Sequence, residues 1–113
     1  MIPLTEAFPS LVRELVQQLR AGNHATLADQ VDSAIISKVT FDPHADAGYI
    51  YLRPSHDLNV VEKNIIGAKH RETKEVDTPY WTMIDIDNFD RIVGIEVLSP
   101  GDIKSSLMQH AGT

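Results

Sequence analysis

The chain of 113 residues carries 10 Lys and Arg against 16 Asp and Glu, a formal net charge of −6, and no cysteine. This length supports one hydrophobic core, the lack of thiols excludes disulfides, zinc–thiolate centres and cysteine nucleophiles, and the acidic balance opposes binding to phosphate backbones. No stretch reaches the roughly 18 consecutive apolar residues of a membrane span, and the first residues do not form a secretory signal, so a cytoplasmic protein with no membrane partner is expected.

The first third reads as helical. Phe8, Leu11, Val12, Leu15, Val16 and Leu19 recur at three- and four-residue steps, which predicts an amphipathic helix with one buried stripe. Pro9 suits its first turn and Gly22 its C-terminal stop. A second helix is expected from about Ala25 to Asp32, with Asn23 as N-cap and Leu27 and Val31 inward. Residues 1–33 are then a helical hairpin.

Strand signals begin near Ile36. Ile36, Val39, Thr40 and Phe41 favour a strand. Asp42-Pro43-His44-Ala45-Asp46 reads as a turn whose aspartates bond nearby amides. Gly48 to Arg53 alternates, with Tyr49 and Tyr51 on one face and Ile50 and Leu52 on the other. Between Leu58 and Pro79, Val60-Val61 and Ile65-Ile66 have strand composition, and an exposed strand is expected to end near Val76.

A closing hairpin is expected from Trp81 to Asp87 and Ile92 to Leu98. Pairing Asp87 with Ile92, Ile86 with Val93 and Ile84 with Ile95 puts Ile84, Ile86, Val93, Ile95 and Val97 on one apolar face. A two-residue turn at Phe89-Asp90 would need positive φ at Phe89, so a four-residue loop from Asn88 to Arg91 is preferred. After Asp102, Ile103, Leu107 and Met108 mark a short helix. The expected fold is α+β: an N-terminal helical hairpin packed on a small, mostly antiparallel β-sheet of about five strands, with a short C-terminal helix. Residues 1–113 form a single domain in this reading, with a helical extension at 1–33, a β-rich core at 36–98 and a C-terminal segment at 99–113.

Two stretches carry a resemblance. Thr40 to Leu52 follows the form "tYDpeaDalYirL", and Asp85 to Leu98 follows "DlDedGrivGiEil". In this order they resemble the DUF2283 family, small bacterial and phage proteins described as a domain of unknown function, over about residues 36–98. The resemblance implies a compact β-rich fold and supplies no catalytic residues. Phe41 stands where the family has tyrosine, Asp90 stands at the turn glycine, and the N-terminal helices fall outside the resemblance.

Asp85, Asp87 and Glu96 share a strand face in the expected register, with Gly94 opposite Asp85, and form the candidate ligand or partner face. They also match three positions of a calcium loop. Phe89 and Asp90 occupy its other essential positions and the flanks are strands, so no such metal site is expected. Asp42, Pro43 and Asp46 are assigned to the turn, with His44 exposed rather than ligating a metal. No zinc spacing, nucleophile elbow or glycine-rich phosphate loop occurs, so no catalytic residue and no cofactor are expected. Tyr49, Tyr51 and Trp81 are aromatic surface candidates, expected to pack beneath the N-terminal helix. Lys63, Lys69, His70, Arg71 and Lys74 are interrupted by Glu62, Glu72 and Glu75, which gives no nucleic-acid patch. The expected function is a non-enzymatic protein-interaction module, antitoxin-like or regulatory, with an acidic surface for a basic partner. The alternative is a small-ligand or divalent-metal-binding domain using the acidic strand face. A homodimer is expected through the strand edge near Ile36 or the stripe of the first helix.

Overall fold

The structure, a computed structural model, describes residues 2–54 and 69–112. In chain order it contains β1 (Ile2–Pro3), α1 (Leu4–Ala7), α2 (Pro9–Ala21), α3 (Ala25–Ser33), β2 (Ala34–Asp42) and β3 (Ala47–Pro54). There follow β4 (His70–Val76), β5 (Thr82–Asp87), β6 (Ile92–Val97), a 3-10 turn (Gly101–Ile103) and α4 (Lys104–His110). Val60-Val61 and Ile65-Ile66, expected as strand segments, lie outside the described residues.

The α+β class holds. Among the described residues the sheet is antiparallel throughout and has six strands in the order β1-β2-β3-β6-β5-β4. The strand beyond the expected five is β1, where Ile2 and Pro3 pair with Ile36 and Ile35. Two residues cannot show a two-residue period, so sequence pattern carries no sign of it.

The helices lie on one side of this sheet. Pro9 opens α2 in its first turn, where its missing N–H costs no hydrogen bond. Phe8, Leu11, Leu15 and Leu19 are almost fully buried, in one cluster with Ile50, Ile84, Ile95 and Val97 of the strands. The apolar stripe of α2 is therefore covered within the chain. It does not offer the dimer surface expected of it, because the sheet needs a full helix layer to bury its own apolar face. Gly22 ends α2 with an ordinary φ of −89°, while Asn23 takes the left-handed conformation at 65°. Asn23 is therefore part of the link and not the N-cap; His24 occupies that position. In α3, Val31 and Ala28 are buried and Leu27 is half-buried.

Gly48 lets α4 approach the sheet closely. A Cβ built on it would lie 2.9 Å from Leu107 Cδ2, and Leu107 is fully buried. Asp46, at the far end of the β2–β3 turn, also ties this hairpin to α4 through Lys104 at 2.9 Å. Asp42 behaves as the turn residue expected: its Oδ1 accepts the His44 and Ala45 amides at 2.9 and 3.4 Å. Asp46 instead takes a φ of 53° and bonds the lysine.

The closing hairpin keeps half of its expected register. Ile84 faces Ile95 and Asp85 faces Gly94, but Ile86 faces Ile92, not Val93. A bulge at Val93 causes the shift. The connection between the strands is Asn88 to Arg91, the four residues expected; within it the Asp90 amide donates to the Asp87 carbonyl at 3.1 Å and Asp87 N–H donates to the Arg91 carbonyl at 2.9 Å. Asp90 carries the positive φ, 60°, that this loop requires before its bulge. Ile92 thus joins the core and Val93 is only half-buried. Gln30 of α3 reaches this loop: its Nε2 donates to the Asp90 carbonyl and its Oε1 accepts the Ile92 amide, both at 2.8 Å.

Candidate functional site: the sheet face opposite the helices

Alternation along the strands sends Ile50 and Leu52 toward the helices and Tyr49 and Tyr51 to the opposite face. The pairings Thr40–Tyr49–Glu96–Met83 and Lys38–Tyr51–Gly94–Asp85–Thr73 run across that second face. The tyrosines are therefore not packed beneath the N-terminal helix. The strand period places them away from it, and Tyr51 is 43% exposed.

The centre of the face is a hydrogen-bonded chain. Tyr49 Oη donates to Asp85 Oδ2 at 2.5 Å, and Thr73 Oγ1 donates to Asp85 Oδ1 at 2.5 Å. His70 Nε2 lies 2.9 Å from Thr73 Oγ1 and 3.5 Å from Asp85 Oδ1. Because Thr73 gives its proton to Asp85, it receives one from His70. Burial, first, and then the hydrogen bond and charge of Asp85 push the Tyr49 phenol well above its ordinary range, with Tyr51 and Glu96 adding to the shift. The neutral phenol is thus the form that the face holds.

Gly94 makes this geometry possible. A Cβ there would overlap the Tyr49 ring and hydroxyl, so only a glycine lets the phenol lie across β6. Tyr51 packs on Tyr49 with ring centroids 4.5 Å apart and planes at 56°, and Lys38 Nζ stands 5.5 Å from the Tyr51 centroid. At one end of the face, Thr40, Asp42, Ala45, Tyr49 and Glu96 line a hollow of about 290 Å³.

The expected site residues separate into two groups. Asp85, Gly94, Glu96, Tyr49 and Tyr51 come together on this face. Asp87 does not: it is 2% exposed, and its carboxylate accepts the Phe89 and Arg91 amides at 2.9 Å and the Arg91 guanidinium at 2.7 and 2.8 Å. The turn draws it out of the strand's alternation. Trp81 also stands apart, 52% exposed with φ at 48°, just before β5 begins. Asp42 and Pro43 belong to the turn. Among the described residues no three His, Asp or Glu side chains converge as a metal site. Lys38, His70 and Thr73 were not anticipated on the face; Thr73 was recoverable only from the β4 register, which a charged strand without an apolar period does not disclose.

The family model described as a protein of unknown function (DUF2283) matches residues 38–99, more than half of the chain. This chain belongs to the DUF2283 family. The DUF2283 segment supplies every residue of the face from Lys38 to Glu96, while α1, α2, α3 and α4 lie outside the match. No curated protein and no solved structure matches the chain. Among the described residues no helix is long and apolar enough to cross a membrane.

Proposed function

We propose that this DUF2283 chain is a non-enzymatic interaction module of the cytoplasm that docks a basic protein surface on the helix-free face of its sheet. The observation that carries this reading is Tyr51, 43% exposed and packed on Tyr49 at the centre of that face. Tyrosine on a rigid strand offers a large contact area with few rotamers to freeze, and tyrosine is enriched at interfaces. Asp85 and Glu96 place negative charge beside Tyr49, Glu75 adds another at the β4 end of the same face, Lys38 is the cation beside Tyr51, and the chain as a whole carries −6. Two such faces repel each other, so a basic protein of another kind is the better match. An antitoxin-like or regulatory role toward a small basic protein is one form of this reading.

Asp85 favours a structural over a proton-transferring role, since both its oxygens are engaged by Tyr49 and Thr73. A homodimer remains part of the reading, with its contact moved off the buried stripe of α2.

Quantitative capture from the native cell tests the docking face, using the full chain and its Tyr51→Ala and Glu96→Lys variants. A basic protein retained by the wild type should fall about tenfold with either variant, as expected for an anchor residue, while their unfolding curves stay unchanged. Equal capture by all three chains would overturn the reading.

A further inference from the structure

We infer that the β2 edge from Lys38 to Asp42 pairs antiparallel with the same edge of a second copy, centred on Thr40. This inference rests on the dimer in the reading above and not on what the tyrosine pair docks, although Lys38 and Thr40 border that face.

Among the described residues β1 covers only part of the β2 edge. β1 pairs only with Ile35 and Ile36, and a bulge at Ser37 follows. Among the described residues no strand pairs with Lys38–Asp42 on that side. Its outward row of N–H and C=O groups is a template for another strand. Ala34, Ile35 and Ile36, first expected as the unguarded stretch, are the part that β1 extends along.

The five residues Lys38-Val39-Thr40-Phe41-Asp42 are complementary to themselves when reversed. Antiparallel pairing about Thr40 sets Lys38 against Asp42 of the second copy, Val39 against Phe41, Thr40 against Thr40, and the same pairs again by symmetry. Opposite charges, a β-branched residue against an aromatic one, and threonine against threonine are each favoured cross-strand pairs. Shifting the register by one residue either way loses the charge match and moves apolar side chains to the wrong face. Lys38 normally guards an edge against pairing; in this register alone it meets a carboxylate. Asp42 uses Oδ1 for the turn amides, which leaves Oδ2 as the acceptor for the lysine in this pairing.

Space beside the edge fits the pairing. A hollow of about 400 Å³ runs along it, bounded by Val39, Phe41 and Pro43 of the hairpin and by Met108 and Ala111 at α4. Met108 is 44% exposed there. A second copy brings its own Val39 and Phe41 over this hollow on the helix side. The two sheets become continuous, with both tyrosine faces on the same side.

Size exclusion with light scattering, on the full chain at tens of micromolar, gives the first reading: a dimer mass is expected. Lys38→Glu alone sets Glu against Asp42, and Asp42→Lys alone sets two lysines together, so each should weaken the dimer by roughly tenfold. Mixing the two variants places an opposite charge at both pairs and should restore the dimer mass. Because Asp42→Lys also loses a turn cap, a second test uses Thr40→Cys. The chain has no cysteine, and directly opposed strand residues lie close enough for a disulfide. Mild oxidation should cross-link Thr40→Cys much faster than Thr26→Cys on α3. A wild-type monomer mass overturns the inference. So does a dimer that ignores the charge swap while Thr40→Cys and Thr26→Cys cross-link at equal rates. The masses do not depend on the Tyr51→Ala capture result, so either reading can fail alone.

Discussion

The Tyr49 hydroxyl meets Asp85 Oδ2 at 2.5 Å although the two residues stand on strands that are not neighbours. β6 runs between β3 and β5, and the phenol leans over it at Gly94. The side chain thus bridges three strands on a face that no described helix covers.

Gly94→Ala should destabilise the fold by about 1–3 kcal/mol, the usual cost of forcing a methyl into an occupied space. Its φ is not positive, so the cost lies in the clash and not in the backbone. Urea unfolding checks this, and Tyr49→Ala should remove most of the penalty when combined with it. A Gly94→Ala penalty that persists in the Tyr49→Ala background would show that the phenol is not what the glycine accommodates.

The Tyr49 phenol gives a signed pH dependence. Its folded pKa is raised above the ordinary phenol value of 10.0, by burial first and by Asp85 next. A raised value means that its contribution is complete below pH 10.0 and declines as pH rises from there toward the folded pKa. Wild type should therefore lose stability relative to Tyr49→Phe only on the alkaline side. The near-ultraviolet difference between these two chains isolates the Tyr49 phenolate. Asp85→Asn should bring its titration down without returning it to the ordinary value, because burial persists. Phenolate appearing at the ordinary phenol pH would contradict this account.

Arg91→Met should cost about 3 kcal/mol, at the low end for breaking a buried ion pair. The side chains of Asp87 and Arg91 are 3% and 14% exposed, so Asp87 would keep a buried charge without its cation. The two amides that still bond it hold the loss to that end of the range. Chemical denaturation in low and high salt measures it; a loss below about 1 kcal/mol, typical of an exposed pair, would place the pair with surface contacts.

Leu15→Ala should cost about 2–5 kcal/mol, since Leu15 is fully buried between α2 and the sheet. A chain beginning at Ser33 should fail to give a cooperative melt, because the apolar face of the sheet would lose its cover. Wild-type melting of that shortened chain would make the helices an accessory.

Much of this was readable from residue order. The three-residue period of α2 and the two-residue period around Tyr49 and Tyr51 each fixed a buried face. Ile84 against Ile95 and Asp85 against Gly94 followed from apolar matching. The Val93 bulge was hidden because an inserted residue shifts the alternation without changing composition. Asp87 reads as a member of the acidic face because strand alternation gives no sign that its carboxylate turns in to bond the Phe89 and Arg91 amides of the connection that follows it. His70 and Thr73 lay in a charged strand with no apolar rhythm to set its phase.

Gln30 has a kinetic consequence. Its carboxamide stands to the β5–β6 loop as a peptide group of an adjoining strand would, giving one hydrogen bond to Asp90 and taking one from Ile92. The Ile92 amide proton is therefore shielded from exchange by a helix side chain and not by a strand partner. To release it, the loop must part from α3 as well as fray. Amide exchange at Ile92 should keep step with the turns of α3, and Gln30→Ala should uncouple the two, leaving the loop tip to open by itself.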